Sequence, residues 1–242
     1  MIVESTKVEN THQSPAFAKP LLGAGFRVLV ACEESDEVRG RFEALGFDAW
    51  SCDLQPNRNP NAKHYQGSVF DIINDGWDAM IAFPPCTHLA VSGARHFEKK
   101  RKDGRQQQGI DFFMAMINAP IKRIAVENPM GIMSTIYKKP TQIIQPYYFG
   151  DEAQKTTCLW LKNLPLLYHN SMPNLFDDVV THTGKGEMIE FISKKGIKKR
   201  QPKWYADALK LDADERSKVR SKTFSGIAEA MCNQWSVAIA CT

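Results

Sequence analysis

Two short strings carry the chemistry this sequence can offer: Phe83-Pro84-Pro85-Cys86-Thr87 and Val126-Glu127-Asn128-Pro129. Each follows an apolar run that reads as a buried strand, so together they put a thiol and a carboxylate at the same edge of one sheet. A thiolate can add to an electron-poor ring while an acid holds a ring nitrogen, which makes the ring carbon beside the point of attack nucleophilic. Cytosine is such a ring. A free cysteine is most often a small buried hydrophobe, but the rigid Pro84-Pro85 turn projects the next side chain outward and favours Cys86 as a nucleophile. A carboxylate directly after an apolar strand is costly unless used or paired, so Glu127 is read as functional. His88, two residues beyond Cys86, is a group that can take the thiol proton.

The elements that must position these residues follow from periodicity. Residues 27–32 form a short apolar strand, residues 34–45 place Val38, Phe42 and Leu45 at helical spacing, and residues 47–53 read as a second strand, with Gly46 as a left-handed helix end. A third element at residues 67–71 and a fourth at 77–83 continue the alternation. A helix over residues 106–118, with Ile110, Phe113, Met114 and Ile117 on one face, leads to a strand over 121–126. The pattern predicts an α/β fold with a mostly parallel sheet. In such sheets ligands bind beyond the carboxyl ends of the strands, near the point where strand order reverses. Glu33 and Glu34 follow the first strand, Asp53 closes the second, Asp71 follows the third, Cys86 the fourth and Glu127 the fifth. An acid such as Asp53 can accept from the vicinal hydroxyls of a ribose, or it can cap the loop that follows; both readings stand.

Composition narrows the class. The chain has 242 residues, 43% hydrophobic and 24% charged, enough for one substantial core without staples. Its six cysteines show no C-x-x-C spacing and there is no long apolar span or signal peptide, so a metal centre and a membrane span are not expected and a reducing cytoplasm is the default. Cys32, Cys52 and Cys158 read as packing residues, as do Trp160 and Trp235. The net charge of +4 is too mild to announce a nucleic-acid partner by itself. Residues 1–24 are polar without periodicity and read as a loose arm.

Taken in order, the strand and loop after Val30, the acid Asp53, Pro85-Cys86, Glu127-Asn128 and the segment Arg220-Ser221-Lys222-Thr223-Phe224-Ser225-Gly226-Ile227 resemble the motifs of cytosine-5 DNA methyltransferases, most of all the short phage and prophage forms. The resemblance covers roughly residues 26–162 and 218–236. It implies a Rossmann-like class I S-adenosylmethionine-dependent methyltransferase fold with helices on both faces of the sheet. It also implies S-adenosylmethionine as cofactor and cytosine-containing DNA as partner, in a bacterial or phage-infected cell. Cys86 becomes the nucleophile and Glu127 the contact to the cytosine edge. The resemblance places Ala31, Glu33, Glu34, Asp53, Asp71 and Pro84 around the cofactor, and Pro85, Thr87, His88, Asn128 and Lys155 around the base. Three departures stand out. Ala31-Cys32-Glu33-Glu34-Ser35 lacks the usual loop glycines, Pro129 replaces a valine, and Gln154-Lys155-Thr156-Thr157 replaces an arginine motif, with Lys155 the nearest cation.

The implied organisation is a catalytic domain over residues 25–164 and 218–242, interrupted by a small basic insert over 165–217. The closing helix over 226–238 packs beside the first strand. Within the insert, residues 194–205 mix cations with aromatics, as phosphate contact plus stacking requires, and Lys198, Lys199 and Arg200 are its expected DNA contacts. A second basic run, Lys99 to Lys102 with Arg105, follows the nucleophile loop, and Ser92-Gly93-Ala94-Arg95 is the stretch expected to close over a flipped base. Two other readings remain beside the DNA enzyme: a cytosine mononucleotide methyltransferase, motivated by the small insert, and an inactive DNA-binding or decoy protein, motivated by the altered first loop.

Overall fold

The computed structural model describes residues 22–169, 183–193 and 196–241. The expected arm at 1–24 lies almost wholly outside them, as do residues 170–182 and 194–195 of the insert. Seven strands form one sheet: β1 (Arg27–Ala31), β2 (Asp48–Asp53), β3 (His64–Gln66), β4 (Ala79–Ala82), β5 (Arg123–Pro129), β6 (Gln142–Ile144) and β7 (Thr157–Lys162). Their order is β3-β2-β1-β4-β5-β7-β6, with β1 to β5 parallel and β7 antiparallel to both neighbours. The first five strands run one way because each is joined to the next by a crossover.

Both faces of the sheet are covered, and strand periodicity assigns the sides. Val28 and Val30 join one core with Phe42 of α1 (Arg39–Ala44) and with Ile227, Met231 and Trp235 of a C-terminal helix at Ser225–Ala240. Leu29 and Ala31 join the other with Phe113 and Met116 of a helix at Arg105–Ile117 and with Trp160. The remaining helices are α2 (Phe97–Lys102), α4 (Met133–Ile136), α5 (Lys203–Ala208) and α6 (Ala213–Ser221), so the helices at 105–117 and 225–240 are α3 and α7. This is the expected fold class, α/β and Rossmann-like with helices on both faces of the sheet, and α7 shares one core with Val28 and Val30 of β1. Trp160 and Trp235 are fully buried, and so are Cys52 and Cys158.

A separate two-stranded ribbon, β8 (Met188–Ile192) with β9 (Lys198–Pro202), and α5 fall within the bounds expected for the insert, and α6 crosses its C-terminal bound. It docks through Trp204, whose Nε1 donates to the Gln154 carbonyl at 3.2 Å and whose ring meets Phe224 edge-on at 5.9 Å.

Candidate active site

Strand direction explains how the site assembles. β4 and β5 deliver Cys86 and Glu127 at their carboxyl ends, and because β7 runs antiparallel, the residues just before it lie at that same edge. β5 continues to Pro129, and Asn128 pairs with Cys158 and Pro129 with Thr157, which brings Lys155 beside Glu127. Alternation along β5 puts Glu127 on the face of Ala125, the α7 side. There it lines a small crevice with Phe83, Lys155, Lys222, Thr223 and Phe224.

Lys155 is held from two directions. Its backbone N–H donates to Gln145 Oε1 at 3.0 Å, and its ammonium donates to the Lys222 carbonyl at 2.9 Å. Burial pushes the Glu127 carboxyl above the ordinary carboxylate range, and the Lys155 charge opposes that rise. Burial lowers the Lys155 ammonium, with Glu127 and Cys86 working the other way. Burial and the Glu127 charge raise the Cys86 thiol, against Lys155 and Arg220. Other thiols have no such cation pair: burial drives Cys52 and Cys158 up to about 11 and Cys32 to about 12. Cys86 is therefore a thiol at rest whose anion has two positive charges waiting for it.

Asn128 is placed differently from the sequence expectation. It is 1% exposed, and its Nδ2 donates to the Pro84 carbonyl at 2.9 Å. Its side chain ties β5 to the Pro84-Pro85 turn rather than facing a base. Pro84 is buried in that junction, while Pro85 and Thr87 are exposed beside the half-buried Cys86. His88 is half-buried, and burial, followed by the charges of Lys100 and Arg105, lowers its pKa. The stretch expected to be a mobile closure is a 3-10 helix, Val91–His96, and the backbone around it is pinned by Val91 N–H to the Met130 carbonyl and Ile132 N–H to the Leu89 carbonyl, both at 3.0 Å. The Lys100 ammonium, itself buried, donates to the Thr87 carbonyl.

On the proposed cofactor side, the loop without glycines still turns through left-handed backbone, at Cys32 (φ 61°) and Asp36 (φ 65°). Non-glycine residues adopt that region at a cost, and such strain concentrates at functional loops. The Glu33 carboxylate does not face outward: it accepts from the Val38 and Arg39 N–H groups at 2.8 and 3.1 Å, capping α1. Ala31 is fully buried and its carbonyl accepts from Phe83 N–H at 2.9 Å. Glu34 pairs with Arg58 at 2.5 Å. Asp53 accepts from Gln55 N–H at 2.8 Å, the loop-capping role, and Asp71 accepts from the Tyr65 hydroxyl at 3.0 Å. Two residues outside the motif match extend this edge: Leu54 is 71% and Phe70 49% exposed, apolar surface beside the acids that end β2 and follow β3. Phe70 lies in a 3-10 helix, Val69–Asp71, so the third strand, β3, ends before the segment expected at 67–71.

The basic residues are partly neutralised. Lys198 pairs with Glu190 at 2.6 Å, with Arg200 4.0 Å from the same carboxylate, and Lys199 sits across the ribbon from Phe191. Lys102 pairs with Glu98 and Arg105 with Asp103. None of Lys198, Lys199 and Arg200 lines the Glu127 crevice. Among the described residues no cluster of His, Cys, Asp or Glu could hold a metal ion, and no helix is long and apolar enough to cross a membrane.

No protein-family model matches the chain, and no curated protein matches it. Among solved structures, it is similar to a candidate DNA modification methyltransferase encoded within a prophage of E. coli, at 19% identity and a TM-score of 0.40. That match covers 63% of this chain and 52% of the other, so the chain spans about half the length of that neighbour. The fold assignment rests on strand order and direction.

Proposed function

We propose that this chain transfers a methyl group from S-adenosylmethionine to C5 of cytosine in DNA. The convergence of Cys86, Glu127 and Lys155 at the carboxyl edge of β4 and β5 carries the reading. The Cys86 thiolate adds to C6 of the ring. Glu127, whose carboxyl burial raises above the ordinary carboxylate range, donates to N3 and accepts from the exocyclic amine, which supports the charge that develops in the ring. Once C5 carries the methyl group, loss of its proton to water and departure of Cys86 as the thiolate restore the aromatic base.

The residues at the first three strand ends fit a nucleoside cofactor. Asp53 offers a carboxylate to ribose hydroxyls and Leu54 and Phe70 offer apolar surface to a purine. S-adenosylmethionine supplies an electrophilic methyl group when bound. Incubating varied DNAs with labelled cofactor and digesting them to nucleosides for mass spectrometry tests the reading. The expected product is labelled 5-methylcytosine; its absence from every DNA offered overturns the proposal, and its appearance on cytosine mononucleotides instead favours the small-molecule substrate.

A further inference from the structure

The excess charge of this chain sits in one segment. Residues 95–105 hold six lysines and arginines against two acids, so they carry the whole formal net charge of +4 and the remaining residues sum to zero. The fold turns this run into a face. The 3-10 helix Val91–His96 and α2 border an open groove lined by Arg95, Glu98, Lys99, Lys102 and Asp103. Arg95, Lys99, Arg101 and Lys102 are exposed, and among the described residues no carboxylate pairs with Arg95, Lys99 or Arg101. Lys102 pairs with Glu98, but the two side chains are 77% and 75% exposed, so water screens the pair and another anion can displace it.

The inner side of α2 is bolted to the nucleophile turn. Lys100 is 9% exposed, and its ammonium donates to the carbonyl of Thr87, the residue after Cys86. Gly93 sits over this bond: a Cβ there would lie 3.4 Å from Lys100 Nζ and 3.6 Å from the Thr87 oxygen. From the start of α3, buried Gln106 donates to the His88 carbonyl at 3.3 Å. The cationic face is thus held at a fixed offset from the Cys86 turn. We propose that the groove between residues 91–96 and α2 docks the sugar-phosphate backbone of duplex DNA, so that a strand crosses the molecule beside Cys86. The proposal takes its partner, DNA, from the methyl-transfer reading. Phosphate contacts of this kind position a duplex without reading its sequence. A phosphate seated on Arg95, Lys99 and Lys102 fixes how far the backbone stands from the thiol, which a base leaving the stack requires. The ribbon is the weaker candidate, because Lys198 and Arg200 both lie against Glu190.

Binding is measured without cofactor or turnover, so its failure is separate from failure of methyl transfer. A fluorescent duplex of random sequence is titrated with the full-length protein across a salt series and followed by anisotropy. Arg95→Gln, Lys99→Gln and Lys102→Gln combined are expected to weaken binding about tenfold or more. They also make the slope of log affinity against log salt shallower by about two to three. Lys198→Gln, Lys199→Gln and Arg200→Gln combined remove the same charge and are expected to change both quantities far less. On the unaltered chain, bound duplex is expected to shield the Lys99 and Lys102 amines from acetic anhydride while Lys198 and Lys199 stay labelled. Equal losses in the two combined variants, or Lys99 and Lys102 acetylated alike with and without duplex, overturn the proposal. So does single-stranded RNA or a phosphatidylglycerol vesicle that binds more tightly than the duplex and shields the same lysines. A duplex held on this groove by a chain that forms no 5-methylcytosine supports the docking face and overturns only the methyl-transfer reading.

Discussion

Asn128 donates from Nδ2 to the Pro84 carbonyl at 2.9 Å, and this bond joins the end of β5 to the turn that presents Cys86. Nucleophile and acid thus share one brace, since Glu127 is the residue before Asn128. Replacing Asn128 with Ala leaves a buried carbonyl without its donor. The expected loss is about 1–3 kcal/mol in urea unfolding. Because the brace sets where Cys86 points, trapping on a cytosine analogue is expected to slow about 10- to 100-fold. Unchanged stability and unchanged trapping would remove the brace from the account.

Gly131 is required by close approach. A Cβ there would lie 2.5 Å from the Leu89 carbonyl oxygen, inside the bridge between Ala90 and Gly131 that pins the segment after Cys86 to the segment after Glu127. Gly131→Ala is expected to cost about 1–3 kcal/mol and to raise hydrogen exchange at Val91 and Ile132, whose N–H groups bond across this junction. Exchange at these amides as slow as in the wild type would contradict it.

Glu33 gives stability a pH dependence. Burial raises its carboxyl from the ordinary 4.5 to about 7, despite the N–H groups of Val38 and Arg39 that favour the anion. Its contribution is complete below about 4.5, where folded and unfolded chains both hold the proton, and is lost as pH rises through about 7. Urea midpoints measured across that window are expected to fall with rising pH, and the part of the slope due to Glu33 is absent in Glu33→Ala. That variant is also less stable by about 1 kcal/mol at the acidic end, from the lost α1 cap. An identical slope in both proteins would refute the assignment.

Trp204 fastens the insert. Trp204→Ala removes the bond to Gln154 and the edge contact with Phe224, so hydrogen exchange in α5, α6 and the 222–224 strap is expected to rise while β1, β4 and β5 stay protected. Protection unchanged in α5 would show that docking lies elsewhere.

Much of the frame was legible in the sequence. The parallel half followed from apolar runs and helical spacing, and the helix expected over 106–118 forms at Arg105–Ile117. Cys86 and Glu127 announced themselves because a rigid turn and a carboxylate after an apolar strand are local signals. The helix expected from Glu34 begins only at Arg39, since the left-handed turns at Cys32 and Asp36 and the cap from Glu33 are tertiary choices that periodicity does not encode. Asn128 reads as a base contact beside Glu127, yet adjacent strand residues face opposite sides of a sheet, and its side turned inward.

Covalent trapping bears most directly on Cys86 as a cytosine nucleophile. DNA carrying 5-fluorocytosine is incubated with the protein and S-adenosylmethionine, and the digest is searched by mass spectrometry for a cross-linked peptide. The expected result is an adduct on the Cys86 peptide that needs the cofactor and vanishes in Cys86→Ala. An adduct that persists in Cys86→Ala, or 5-methylcytosine formed by that variant at the wild-type rate, would contradict it.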